Sequence, residues 1–229
     1  SPIYLDENII SQPAAALQLV AKEIFRMSDQ VRDILKKTIE LVKNEEVKSI
    51  DGLKENGEQV ERLGKCITEY LAALFSSGSL TEQQAVQTAS LMCVLSDVER
   101  MGTLSVEMAE CMLERSDRKY KYTPEAMDEL QKSLKVLNKM FCDSLKALQG
   151  DDGIEPGKMM KRKDKLLDLD IKMRKAHIER VNKGKCKASL TAPFTNILHL
   201  IDRMGNSCIN LADVAESGTS MKYFMLEEK

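Results

Sequence analysis

The sequence predicts an all-α protein made of two tandem antiparallel three-helix bundles that are related by an internal repeat. Its composition favours helix over strand, because aromatic residues make up only 4% of the chain and Leu, Met, Ala, Lys and Glu dominate. The repeat is direct: residues 98–110 (VERMGTLSVEMAE) align with residues 201–213 (IDRMGNSCINLAD) at an offset of 103, with four of thirteen pairs identical. An offset near half of the 229 residues indicates a duplicated unit.

The first half predicts an irregular lead-in, residues 1–12, and three helices within residues 13–118. Helix one begins at Pro13, which suits a first helical turn, and runs to about Lys43. A second apolar periodicity covers residues 60–74. Thr81, with Gln84 three residues later, then predicts a capping box at the start of a third helix that ends near residue 115.

The second half, residues 119–229, repeats this plan. Thr123 and Pro124 predict a cap followed by proline in the first turn. At the same offset of 103, the apolar positions of helix four overlie those of helix one. Residues 150–157 (GDDGIEPG) predict a loop, helix five follows over about 159–183, and helix six runs from about Pro193 to residue 216.

Composition and motifs also exclude several classes of function. The net charge of −2 argues against nucleic-acid binding, and no apolar run approaches the 18 or more residues of a membrane span. Six cysteines without a C-x-x-C pair favour reduced thiols in a cytoplasmic protein. Neither histidine has the Glu-x-x-His spacing of di-iron bundles, and no nucleophile or phosphate-loop motif is present. We therefore expect no enzymatic activity.

The two repeat copies carry matching polar stripes at helical spacing. One stripe is Glu99, Thr103, Glu107 and Glu110, and the other is Asp202, Asn206, Asn210 and Asp213. Mid-helix glycine costs about 1 kcal/mol relative to alanine. Gly102 and Gly205 therefore mark either the close approach of a neighbouring helix or ligand, or merely tolerated positions. For Arg100 and Arg203, the plain interpretation is pairing with carboxylates.

These residues resemble the PhoU family, whose members consist of two repeated three-helix bundles with a motif like E-R-I-G-D-x-x-x-N-I-A-E on the third helix of each. The matches are Glu99 to Gly102 with Ala109 and Glu110, and Asp202 to Gly205 with residues 210–213. A narrower likeness lies in the run HIERVNKGKC, which includes His177 and Arg180. It is similar to a stretch of the PhoU-like domain at the C-terminus of bacterial sodium/phosphate cotransporters, as is the opening segment, residues 2–27.

The resemblance implies metal clusters held by the first acid of the motif and by an Asp four residues later. Here Glu99 and Asp202 are kept, but Thr103 and Asn206 stand in the Asp positions. Each half thus loses one negative charge, although neutral oxygens remain. A divalent or iron-type metal would then be held weakly or not at all, so this departure from the motif predicts no tightly bound cofactor. Glu99 and Asp202 are instead expected to be neutralised by arginines such as Arg100 and Arg203 or by their neighbours.

Two functions follow from the resemblance. The first is a cytoplasmic regulatory domain of a sodium-dependent phosphate transporter, acting on the membrane portion of the same or another chain at the inner face of the plasma membrane. The alternative is a free-standing PhoU-type adaptor that regulates a phosphate transporter or a sensor kinase. Either could form a homodimer. A basic face is also expected to meet either solvent or an anionic membrane, and it comprises Lys161, Lys165, Lys172 and Lys175.

Overall fold

The computed structural model describes residues 1–44, 47–116, 119–151 and 157–217, and every regular element in these ranges is helical. The described ranges contain six α-helices, with two short 3₁₀ turns at Glu7–Ile9 and Ala188–Leu190. The all-α prediction is therefore confirmed. No helix in the described ranges is long and apolar enough to cross a membrane.

The helices follow the predicted order with small shifts at their ends. Helix α2 begins well before the first residue of its apolar periodicity, and α6 begins two residues before Pro193. The first nine residues of α2 include a single large apolar side chain, Leu53, which is too few for a periodic signal. The helices are α1 Pro13–Lys43, α2 Asp51–Ser76, α3 Glu82–Ser116, α4 Pro124–Leu148, α5 Lys158–Asn182 and α6 Thr191–Glu216.

Local chemistry fixes several of these ends. The backbone N–H of Thr81 donates to Gln84 Oε1 at 3.0 Å, and the N–H of Gln84 donates back to Thr81 Oγ1 at 3.1 Å, which is the predicted capping box. Thr123 caps α4 by accepting from the N–H of Ala126. Gly184 follows α5 with a φ of +69°, a conformation that glycine adopts without strain.

The helices form two groups of three that share one core. Helices α1, α2 and α3 pack together, as do α4, α5 and α6, and the groups meet through α3 against α6 and α1 against α4. Apolar side chains from all six helices fill the interior, for example Leu17, Ile67, Met101, Leu134, Leu166 and Met204. The predicted division at residue 118 falls on residues outside the described ranges and stays a prediction.

The lead-in residues 1–12 lie against the first bundle. Glu23 of α1, whose side chain is fully buried, accepts the backbone N–H groups of Ile3 at 2.8 Å and Tyr4 at 2.7 Å. The Tyr70 hydroxyl of α2 donates to the carbonyl of Asp6 at 2.8 Å. These contacts hold a segment that carries no apolar periodicity of its own.

Candidate functional site

The two motif copies lie on α3 and α6, the helices at the centre of the molecule. The first acid of each copy turns away from the centre toward the second helix of its own bundle, so that Glu99 lies at α2 and Asp202 lies at α5. Both acids are partly buried. The motif therefore forms two separate sites, one in each bundle.

In the first bundle the carboxyl group of Glu99 rests on the backbone of α2. A Cβ atom on Gly64 would stand 3.0 Å from Glu99 Cδ, so a larger residue at this point would push against the carboxylate. Within the described part of the chain, no cation pairs with this group. Burial raises the pKa of the Glu99 carboxyl, and repulsion from Glu61 raises it further.

Beside Glu99 a groove of about 260 Å³ runs between α2 and α3. Gly57 keeps the helices close, because a Cβ atom there would stand 3.0 Å from Val106 Cγ2. Lys54 pairs with Glu110 at 3.1 Å and Arg62 pairs with Glu58 at 3.6 Å, so two of the four lining carboxylates have a basic partner. The groove is acidic on balance, and its lining consists of Lys54, Gly57, Glu58, Glu61, Thr103, Val106, Glu107 and Glu110.

In the second bundle a lysine occupies the corresponding place. Lys163 of α5 reaches Asp202 with Nζ 2.7 Å from Oδ1, and it also donates to the Asp202 carbonyl at 3.3 Å. A Cβ atom on Gly205 would stand 2.9 Å from Leu166 Cδ2 and 3.4 Å from Lys163 Nζ. The glycine of this copy thus leaves room for the side chains of Leu166 and Lys163, which a larger residue would force to shift.

Neither Arg100 nor Arg203 pairs with the motif acid that precedes it, contrary to the expectation from the sequence. Arg100 is exposed and lies 3.9 Å from Asp97 on its own helix rather than beside Glu99. Arg203 is likewise exposed, while Asp202 is neutralised by Lys163. The arginines follow the motif acids directly in sequence, and adjacent helical positions point about 100° apart, so they face solvent.

Asn210, another motif residue, connects the two bundles. Its side-chain amide donates to Asp97 Oδ1 at 3.2 Å across the contact between α3 and α6. Asp97 is only 7% exposed. Burial raises the pKa of the Asp97 carboxyl despite this hydrogen bond and the nearby Arg100.

Neither site fits the metal cluster that the resemblance implies. Within the described ranges, no three His, Cys, Asp or Glu side chains come together in a way that could hold a metal ion. In the second bundle the Lys163 ammonium lies directly on the motif acid and repels any further cation. Thr103 turns its hydroxyl back to the Glu99 carbonyl at 3.3 Å, and Asn206 and Asp213 are exposed.

His177 is a buried structural side chain at the end of α5. It is 3% exposed, lies 2.9 Å from Thr191 Oγ1 and stacks on Phe194 with ring centroids 4.8 Å apart. Burial lowers the pKa of its imidazole, and the positive charge of Arg180 lowers it further. Arg180 itself lies 3.8 Å from Glu129 of α4. Both residues therefore join α5 to its own bundle.

The four lysines of the predicted basic face, Lys161, Lys165, Lys172 and Lys175, are all exposed. Among the described residues, none of them has an ion-pair partner. The segment from Lys158 to Lys187 holds twelve basic and four acidic residues, so the local surface is strongly positive.

Sequence reasoning missed the residues that make the two sites differ. Gly57 and Gly64, seven residues apart on α2, carried a usable signal, since glycines on one face of a helix indicate close approach. Lys163 carried none, because it is one lysine among many on α5. Asp97 was equally hidden, since nothing in its neighbourhood distinguishes a buried acid from a solvated one.

The fold and the paired sites define a class of protein: a tandem three-helix bundle with an acid-containing motif on the last helix of each bundle. Residues 24–112 match the family described as "PhoU domain". Over 209 residues the chain is 24% identical to the phosphate-specific transport system accessory protein PhoU homolog 1 of Thermotoga maritima, covering 90% of this chain and 88% of that protein. The stretch that is similar to the PhoU domain therefore lies in the first bundle, while the likeness to sodium/phosphate cotransporters stays a prediction.

Proposed function

We propose that this chain is a non-catalytic PhoU-type regulator of phosphate transport, which acts by binding a transporter component or a sensor kinase through its helical faces. The observation that carries the proposal is the extent of the match to the Thermotoga maritima accessory protein, which includes both bundles. The sequence contains no G-x-S-x-G motif, no phosphate-binding loop motif and no evident Cys/His pairing with an orienting acid that would support catalysis.

The acidic groove between α2 and α3 is the face we assign to the partner. It lies within the residues that match the PhoU domain, whereas the second copy is closed by Lys163. Uncompensated carboxylates in a groove attract a partner that presents Lys or Arg side chains. Glu61 and Glu107, on opposite walls of the groove, are the residues that such a partner would contact.

Deleting the gene in its native host should make phosphate uptake independent of external phosphate, and the intact gene should restore the dependence. A chain carrying Glu61→Lys and Glu107→Lys should fail to restore it, while Glu55→Lys, an exposed reversal outside the groove, should restore it fully. Unchanged uptake after deletion would refute the proposed function. Full restoration by the double variant would refute the assignment of the groove.

The regulatory domain of a sodium-dependent phosphate transporter is the second candidate, and the run from His177 to Cys186 and the opening segment favour it. An immunoblot of whole cells distinguishes the two. A band near the 25.8 kDa of this chain supports the adaptor, and a much larger membrane-bound polypeptide supports the transporter domain.

We further propose that Lys161, Lys165, Lys172 and Lys175 face an anionic membrane while the regulator acts at the cytoplasmic side. Their exposure and lack of ion-pair partners among the described residues support this. Each basic residue near lipid contributes about 1 kcal/mol. Binding to anionic vesicles should weaken with salt and with charge reversal at these lysines, and equal binding to neutral vesicles would refute it.

A further inference from the structure

Helix α5 exposes a row of large apolar side chains that the sites described above do not use. Met160, Leu167, Ile171 and Ile178 are between 49% and 57% exposed. Their spacings of seven, four and seven residues place them along one line of the helix over about 27 Å. Such a row is the pattern of a helix that packs against another helix.

The row becomes a complete coiled-coil seam when Asp164 and Arg174 are added. The six positions are then separated by four, three, four, three and four residues, which is the alternation of the two core positions of a heptad. Asp164 is exposed and has no ion-pair partner among the described residues. Arg174 is 38% exposed and binds Asp170 through Nε, which leaves its other donors available.

The seam has two-fold symmetry about Leu169. Met160 and Ile178 each lie nine residues from this centre, Asp164 and Arg174 lie five residues away, and the two central apolar residues lie two residues away. When such a helix pairs with an antiparallel copy of itself, apolar residues meet apolar residues throughout. Each Asp164 then meets an Arg174 of the other copy.

We propose that α5 pairs antiparallel with α5 of a second copy of this chain along the seam formed by Met160, Asp164, Leu167, Ile171, Arg174 and Ile178. The result is a closed two-fold dimer, because the same surface serves both partners. The two Asp164–Arg174 pairs fix the register and the antiparallel direction, as buried polar pairs do in coiled coils.

A membrane is the less suitable occupant of this seam. Asp164 lies within the apolar row, and placing a carboxylate in lipid without a counter-charge is costly. Three of the four lysines of the basic face lie about 120° around the helix from the apolar row, and Lys175 lies about 60° from it, so a flat surface on the apolar row cannot contact most of the basic face. The seam and the basic face can therefore serve different partners at the same time.

Sedimentation equilibrium of the full chain between about 1 and about 200 µM tests the dimer, since that range covers dissociation constants of weak to moderate interfaces. The wild type should dimerise reversibly. Replacing both central residues, Leu167→Asp with Ile171→Asp, should raise the dissociation constant at least about 30-fold because each copy then buries two unpaired carboxylates. Circular dichroism checks folding, and both positions are exposed in the monomer.

Charge exchange provides the sharper test. Asp164→Arg places two arginines opposite each other and should weaken the dimer at least about tenfold, whereas adding Arg174→Asp restores opposite charges and should return the dissociation constant to within about threefold of wild type. Glu179→Arg, with the same change of charge at an exposed site about 100° away, should leave it unchanged.

Three results on dimerisation would overturn the proposal. These are a monomeric wild type throughout the concentration range, a dimer that the central aspartates leave intact, and a failure of the double charge exchange to restore what Asp164→Arg removes. Loss of vesicle binding by the central variant of a protein that stays monomeric would also overturn it, because the seam would then be a membrane contact. Phosphate uptake does not enter this test, so its result is separate from that of the proposed function.

Discussion

The two copies of the motif share their sequence pattern but differ in what the neighbouring helix brings to them. At Glu99, α2 supplies two glycines and further acids, so a carboxylate stays unpaired beside an open groove. At Asp202, α5 supplies a lysine 2.7 Å away, and the tight contact with Gly205 closes the site. A duplicated motif has thus become one open acidic site and one internally neutralised site.

This difference shows that the second helix of each bundle decides what a motif copy can do. The outer side of helix α2 carries one exposed large apolar residue, Phe75 near its end, whereas α5 carries several together with the lysines of the basic face. The PhoU domain match covers residues 24–112, which include the open copy and leave out the neutralised one.

The largest expected difference in stability between the two copies comes from replacing their motif glycines, Gly102 and Gly205. Gly205→Ala should destabilise the protein by about 1 kcal/mol, because overpacking against buried Leu166 costs about 1–3 kcal/mol and improved helix propensity returns about 1. Gly102→Ala should stabilise it by about 0.5–1 kcal/mol, since its nearest neighbour, Val31, would be 3.4 Å from the new Cβ. Urea unfolding measures both, and equal signs would contradict the asymmetry of the two sites.

Neutralising the two motif acids, Asp202 and Glu99, should change the free energy of unfolding at pH 7 in opposite directions. Asp202→Asn should cost about 1 kcal/mol, because Lys163, only 17% exposed, loses its partner. Glu99→Gln should instead stabilise the protein by a few tenths of a kcal/mol, a small gain because the group is partly exposed and solvent screens it.

The pH dependence of the Glu99→Gln effect follows from the raised pKa of Glu99. A carboxyl whose folded-state pKa lies above its unfolded value destabilises the fold only once it ionises. The destabilisation is absent below the unfolded value of about 4.3 and complete above the folded one. The gain from Glu99→Gln should therefore shrink as pH falls from 7 toward 4, and a gain that grew on acidification would contradict this account.

The smallest expected difference between the two sites concerns the metal that each can bind. Elemental analysis of the wild type, purified without chelator, should find no near-stoichiometric iron, zinc or nickel. Thr103→Asp returns a carboxylate one turn from Glu99 and should raise metal content, while Asn206→Asp should not, because Lys163 remains on Asp202. Metal that survives dialysis in the wild type and is lost in Glu99→Ala would show that the first site binds a cation as it stands.

The sequence by itself determined the helical class, the order of the six helices and the equivalence of α3 and α6, because these depend on local periodicity, caps such as that of Thr81 and Gln84, and a repeat visible at one offset. It also identified the motif acids. Only the tertiary structure decided what those acids meet: Glu99 against Gly64, Asp202 against Lys163, and Asp97 with Asn210 between the bundles. These contacts join residues from different helices, and the rotation and spacing of two packed helices depend on all the side chains between them, which no local pattern records.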